Sequence, residues 1–196
     1  MSTNVTPTNA PAPATQTEQT TRLTLAALAR ALEGFERAPT QPELDALLRR
    51  FEPDAEELSP HLSFKPQTYT RRRVFRNHLC EMLVLCWLPG NRTAIHDHNG
   101  SYGAIRICEG AMKEEIYALN EAGEVVTAET LRRAAGEVTG TGVPDIHRIG
   151  CAEDETERMI TIHIYAPPLR VINTYQLGSA EVGKCWPDDP ANPANG

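Results

Sequence analysis

From about residue 69 onward the sequence is divided into short pieces. Apolar or alternating runs at 81–87, 94–98, 103–108, 112–118, 124–130 and 159–165 are separated by turn signals. The signals are Leu88-Pro89-Gly90-Asn91, Asn99-Gly100, Glu109-Gly110, Asn120-Glu121-Ala122-Gly123 and the stretch 140–144. Many short strands with such regular punctuation predict an all-β barrel or a double-sheet jelly roll. No segment repeats at a fixed period.

A helical piece precedes the strands. Leu23, Leu25, Leu28, Leu32 and Phe35 form an apolar stripe at helical spacing. Thr40-Gln41-Pro42-Glu43 matches a capping box with Pro in the first turn, and Leu44, Leu47, Leu48 and Phe51 supply the buried face of the helix that follows. The acidic stretch 53–58 predicts one more helical turn. Residues 1–20, rich in Thr, Pro and Ala, bury too little apolar area to offset ordering entropy and read as a disordered arm. The stretch 187–196 has a similar composition. The expected division is an arm at 1–20, a helical segment at 21–64, a barrel at 65–180 and a C-terminal tail at 181–196.

Charge and cysteine usage narrow the function. The 196 residues carry a formal net charge of −7, with a pI near 5.4. An acidic surface repels phosphate backbones and anionic lipid heads, so neither nucleic acid nor membrane is an expected partner. No apolar run approaches the roughly 18 residues that span a bilayer. The first twenty residues have neither the basic nor the apolar part of a targeting peptide. Cys80, Cys86, Cys108, Cys151 and Cys185 are odd in number and form no C-x-x-C pair, which fits reduced thiols in a cytoplasmic setting.

The histidines carry the chemistry. His96-Asp97-His98 lies on a strand, where residues i and i+2 face the same way, so His96 and His98 project together and Asp97 points away. Two imidazoles on one face begin a metal site. A third ligand must come from a distant strand. His147, in Ile146-His147-Arg148, and His163, in Thr161-Ile162-His163-Ile164-Tyr165, both qualify, and periodicity does not choose between them. On the second segment Thr161, His163 and Tyr165 share one face and Ile160, Ile162 and Ile164 the other.

The spacing from Gly90 to His96-x-His98 and on to Gly110 resembles the first motif of the cupin superfamily. Where that motif carries a glutamate ligand, this sequence has Tyr102 or Gly103. Four ordered segments resemble the cysteine dioxygenases more closely: Tyr69-Thr70-Arg71, Ile95-His96-Asp97-His98-Asn99-Gly100-Ser101, Ile146-His147-Arg148, and Thr161-Ile162-His163-Ile164-Tyr165-Ala166-Pro167-Pro168. This resemblance implies a mainly β, cupin-type jelly-roll barrel with a small N-terminal helical segment. It implies one Fe(II) per chain on His96, His98 and His147, and Arg71 on the substrate carboxylate. Tyr165 then stands beside the metal, oriented by His163, with Thr161 in place of the family's usual serine. Gly103 occupies the position where animal relatives have a cysteine that crosslinks to the tyrosine, so no crosslink is expected. The Ala166-Pro167 bond is where the family tends to have a cis peptide.

The implied activity is oxygenation of L-cysteine by O2 to cysteine sulfinate, in a monomer or weak oligomer. A site without a carboxylate ligand leaves the cation its full charge, which a substrate thiolate balances, and the cation in turn lowers the thiol pKa. Arg71, Arg72 and Arg73 are consecutive, and Arg71 and Arg73 share a face. Relatives acting on 3-mercaptopropionate tend to have Gln at the Arg71 position, so Arg favours cysteine. The alternatives are a dioxygenase of another small thiol such as 3-mercaptopropionate or cysteamine, a different metal-dependent cupin enzyme using zinc or nickel, and a non-catalytic small-molecule sensor.

Overall fold

The computed structural model describes residues 22–141 and 145–195, and the arm expected at 1–20 lies outside them. The helical segment contains α1 (Leu25–Glu33), α2 (Gln41–Arg50) and the single turn α3 (Ala55–Leu58). The capping box closes the start of α2: the Glu43 carboxylate accepts from the Thr40 backbone N–H at 2.7 Å, with Pro in the first turn. The Thr24 hydroxyl caps α1 through the Ala27 N–H.

Eleven strands follow among the described residues: β1 (Thr70–Arg76), β2 (Glu81–Trp87), β3 (Ile95–His96), β4 (Tyr102–Glu109), β5 (Ala111–Leu119), β6 (Val125–Ala134), β7 (Val138–Thr141), β8 (Ile146–Cys151), β9 (Met159–Ala166), β10 (Ile172–Tyr175) and β11 (Val182–Cys185). They form a five-stranded sheet in the order β1-β2-β9-β4-β7 and a six-stranded sheet in the order β11-β10-β3-β8-β5-β6, with antiparallel neighbours throughout. This is the mainly β, cupin-type jelly roll with a minor helical segment. Gly110 shows why the turn between β4 and β5 needs glycine. Its φ is +78°, and a Cβ there would lie 2.4 Å from the Arg158 carbonyl oxygen.

Two apolar layers explain why β2 and β9 are buried along their whole length. Met82, Val84 and Cys86 of β2 and Ile160, Ile162 and Ile164 of β9 pack with the leucines of α1 and α2 on the outside of the five-stranded sheet. Leu83, Leu85 and Trp87 of β2 turn the other way and join Ile105, Ile107, Met112, Ile149 and Met159 inside the barrel. A strand covered on both faces reads as a continuous apolar run, as 81–87 does. On β9 the inward positions are Thr161, His163 and Tyr165. The helices therefore seal the back of the strand that presents these polar groups to the barrel interior.

Two readings of the C-terminal region need correction. The barrel does not end at residue 180, because β11 pairs with β10 from Ile172↔Cys185 to Tyr175↔Val182. Nor does 187–195 behave as its composition suggests. It folds in successive turns, Asn192 N–H to Asp189 O at 2.9 Å and Asn195 N–H to Asn192 O at 3.0 Å, and it docks on β1 with Ala194 buried. The turn-forming residues that signal disorder also make tight turns when a partner surface exists.

Candidate functional site

The structure brings His96, His98 and His147 together. The nitrogens they offer all lie within 4.8 Å of one another, and all three residues are buried. His96 on β3 sits opposite His147 on β8 in the strand register. His98 follows β3 and is positioned through its neighbour. The Asp97 carboxylate accepts from Tyr175 Oη at 2.6 Å and from Asn173 Nδ2 at 3.1 Å, which turns Asp97 outward to β10.

Each ring also has an acceptor behind it. His96 Nδ1–H donates to Ala94 O at 3.0 Å, His98 Nδ1–H to Asp145 Oδ2 at 2.5 Å, and His147 Nδ1–H to Glu114 Oε1 at 3.1 Å. A carboxylate or carbonyl oxygen can only accept, so the proton of each neutral ring sits on Nδ1 and each Nε2 lone pair is left free. His98 Nε2 and His147 Nε2 are buried with no protein partner. Two orphaned acceptors pointing at a third imidazole are costly without a ligand and suit a cation. Burial holds His96 well below the usual histidine range and His98 below it, so both are neutral near pH 7, as metal ligation needs. Among the described residues no carboxylate joins the group. Glu114 and Asp145 stand behind the rings.

His163 is placed differently. Its Nε2 is 2.9 Å from Thr161 Oγ1 and its Nδ1 is 3.0 Å from Tyr165 Oη, so neither nitrogen is free. One further donor orients this chain. Trp87 Nε1–H donates to Thr161 Oγ1 at 3.0 Å. A hydroxyl has one hydrogen, and Thr161 is fully buried. With Trp87 donating to its oxygen, the Thr161 hydrogen is best satisfied on His163 Nε2. His163 Nδ1–H then donates to Tyr165 Oη, and the tyrosine hydrogen remains available to the pocket. Burial raises the Tyr165 pKa far above the usual phenol range and drives His163 neutral, which is consistent with this assignment. Tyr165 lies against the histidine group, its ring centroid 5.0 Å from that of His98. Gly103 is its cross-strand neighbour in the β4–β9 register, so no thiol stands there. The Ala166-Pro167 bond is cis.

His96, Tyr165 and Arg71 line one small cavity of about 60 Å3, together with Tyr69, Leu83, Leu85, His163 and Leu169. A single water needs roughly 10–15 Å3 on this scale, so the space suits a compact ligand of several atoms. Arg71 and Arg73 sit opposite the inward residues Leu85 and Leu83, but Arg71 is the one that lines the cavity, Arg73 being paired with Glu81 and Asp188, whereas Arg72 sits opposite outward Val84 and donates to Pro60 O at the surface. The Arg71 side chain is only 8% exposed, and its Nη2 is buried with no partner. A larger cavity of about 550 Å3, around Arg92, Lys113, Arg132 and Arg148, opens on the outside of the six-stranded sheet, away from the histidines.

The sequence reading missed Glu114, Asp145, Trp87 and the tail. Glu114 had a usable signal, because alternation along 112–118 puts a carboxylate on the same face as Met112. Asp145, Trp87 and the tail act on parts of the chain distant in sequence, where no local pattern exists.

Fold and site together define a cupin barrel with a three-histidine group able to hold a metal ion. The family model for Cysteine dioxygenase type I matches residues 14–177, and the chain belongs to that family. It is 26% identical over 146 residues to the cysteine dioxygenase type 1 of Homo sapiens, covering 72% of each chain, and 23% identical over 143 residues to that of Danio rerio, covering 68% of each. Among solved structures it is similar to an RmlC-like cupin family protein with a double-stranded β-helix fold from Methanocaldococcus jannaschii. That likeness has a TM-score of 0.42 at 15% identity, over 54% of this chain and 87% of that one, and adds no argument.

Proposed function

We propose that this chain is a mononuclear iron enzyme that oxygenates the thiol of L-cysteine, adding both atoms of O2 to give cysteine sulfinate. The observation that carries the reading is the unpartnered Arg71 Nη2, buried in the same cavity as His96 and Tyr165. A free guanidinium donor in a closed pocket calls for an anion, and a carboxylate is the anion its fork fits best. Membership of the cysteine dioxygenase family supports the thiol as the other end of the substrate.

His96, His98 and His147 are the proposed ligands of one Fe(II), through Nε2. When bound, the iron supplies the one-electron chemistry that O2 requires. The protein's own groups do the rest. Arg71 fixes the carboxylate end of the substrate and so sets where its sulfur lies. Tyr165, its oxygen held by His163, offers its hydroxyl hydrogen to substrate or oxygen. The apolar wall of Leu83, Leu85 and Leu169 keeps the small cavity poor in water.

The test is oxygen uptake by protein loaded with Fe(II) under anaerobic conditions, with sulfinate quantified in parallel for L-cysteine and 3-mercaptopropionate. Uptake near one O2 per sulfinate, faster with L-cysteine, is expected. Preference for 3-mercaptopropionate would keep the site and overturn the substrate. Bound iron without thiol-dependent uptake would favour a different metal-dependent cupin chemistry.

A further inference from the structure

The wall of the cavity behind Arg71 comes from a part of the chain beyond residue 177, where the family match stops. Strand β11 ends the six-stranded sheet, and the chain then crosses to β1, the edge of the five-stranded sheet. There Arg71 N–H donates to Ala194 O at 2.9 Å, and Cys185, Pro187 and Asn192 face the cavity. The Arg71 side chain is held from behind. Its Nη1 donates to Pro187 O at 2.9 Å and to Asn195 Oδ1 at 3.3 Å, and Asn195 Nδ2 donates to the same Pro187 O at 2.7 Å.

One side chain locks this segment in place. Three arginines of β1 converge on Asp188. Arg76 Nη1 lies 2.5 Å from its Oδ2, Arg73 Nη2 bonds its Oδ1, and Arg71 Nη1 is 3.6 Å from that oxygen. Arg73 and Arg76 also pair with Glu81, which is fully buried and accepts from the Leu169 N–H at 2.8 Å. The clasp thus ties the tail, β1 and the loop after the Tyr165 strand into one unit around the cavity.

We infer that Asp188 is a positioning residue for the substrate carboxylate: it fastens residues 186–195 to β1, so that Pro187 and Asn195 occupy Arg71 Nη1 and leave Nη2, with no protein partner, for a ligand in the pocket that Arg71 lines. This rests on the proposed role of Arg71. An arginine whose stem and one nitrogen are fixed loses less freedom on binding an anion than one that samples many rotamers. Charge alone predicts the opposite sign. Arg71, Arg73 and Arg76 face Glu81 and Asp188, and neutralising Asp188 adds a net positive charge beside the carboxylate. An electrostatic role would therefore tighten carboxylate binding on substitution, whereas a positioning role weakens it.

The experiment compares iron-loaded wild type, Asp188→Asn, Asp188→Glu and Arg71→Gln. L-cysteine is the substrate, and cysteamine, which lacks the carboxylate, is the competing inhibitor. Asp188→Asn is expected to raise the KM for L-cysteine about tenfold, on the order of one oriented charged hydrogen bond. Its kcat should change little, the cysteamine Ki should stay unchanged, and hydrogen exchange over 186–195 should be faster. Asp188→Glu should recover most of the loss. An unchanged or lower KM for L-cysteine in Asp188→Asn overturns the proposal, as does an equal loss for both ligands or unaltered exchange in the tail. If Arg71→Gln itself leaves the L-cysteine KM unchanged, the carboxylate reading beneath the proposal has failed. A loss in Arg71→Gln without one in Asp188→Asn removes Asp188 alone.

Discussion

Replacing Glu114 with alanine tests the claim that carboxylates outside the histidine group build the metal site. Glu114 is almost wholly buried, and its two oxygens serve different partners, Oε1 the His147 Nδ1–H at 3.1 Å and Oε2 the Arg133 Nε at 2.9 Å. Removing it leaves His147 Nδ1–H without an acceptor inside the barrel, a loss of about 1–3 kcal/mol in the metal-free protein. Arg133 is about a quarter exposed and can turn to water, so its charge adds little to that figure. The larger consequence falls on the metal. Without Glu114 nothing fixes which His147 nitrogen carries the proton or where Nε2 points, and the affinity should fall about 10- to 100-fold, or roughly 1.4–2.7 kcal/mol. The assay is chelator competition with Fe(II) or Co(II) under anaerobic conditions, alongside urea unfolding of the metal-free protein. Glu115→Ala, one residue along and on the opposite face of β5, is the control. A folded Glu114→Ala protein with wild-type metal affinity would refute the argument that the tautomer is set from behind.

Three further outcomes follow from the same geometry. His147→Ala should abolish stoichiometric metal binding and His163→Ala should not, because only His147 has a free nitrogen in the group; equal losses of metal would undo that distinction. Trp87→Phe removes the donor that orients Thr161 and should slow coupled turnover about two- to tenfold with metal retained, the rate equivalent of one neutral hydrogen bond; unchanged kcat and unchanged sulfinate per O2 would mean that Trp87 only fills space. The tail clasp should also respond to acid. Burial alone would raise the Asp188 pKa, but its hydrogen bond to Arg76 and the charges of Arg73 and Arg76 outweigh burial and hold it below the usual carboxylate range. A depressed acid stabilises the docked tail above its unfolded pKa of about 4, and that contribution is lost as pH falls through the lower folded value. Proteolysis of 186–195 should accordingly be flat from pH 8 to about 5 and rise only below about 4; release of the tail nearer pH 6 would contradict the sign.

What the sequence reveals and conceals here has a common cause. Turn residues and alternation are local, so β2 to β6, β9 and the inward row Thr161, His163 and Tyr165 are readable in order, whereas β7 and β8 carry no such run and are not. So are the two histidines of His96-x-His98. The choice between His147 and His163 is not local. Both sit on inward faces, and what separates them is whether their ring nitrogens are already occupied, which depends on Thr161, Tyr165 and Glu114 meeting in space. Strand β1 stays hidden for another reason: Arg71, Arg72, Arg73 and Arg76 give it the composition of a surface segment, and only the Asp188 and Glu81 carboxylates from distant parts of the chain make three of those charges tolerable near the core. The tail is the extreme case. Its contacts with Arg71 span more than a hundred residues, and its Pro, Asn and Asp content is equally the vocabulary of disorder and of tight turns.

The two sheets divide the work of the site, and this gives the tail its importance. His96 and His147 stand on the six-stranded sheet, with His98 just beyond β3, while Arg71, Thr161, His163 and Tyr165 stand on the five-stranded one. A substrate that bridges Arg71 and the histidine group spans the gap between the sheets, so its fit depends on how they are held together at that edge. The strands at that edge are β1 and β11, and the segment that follows β11 is the one that docks on β1. A change of about 1 Å in that spacing would move the Arg71 donor relative to the histidines without altering either group, and so weaken the hold on a carboxylate that must reach both. On the proposed role of Arg71, substrate discrimination would rest on the Asp188 clasp as well as on Arg71, although the family match ends before Asp188.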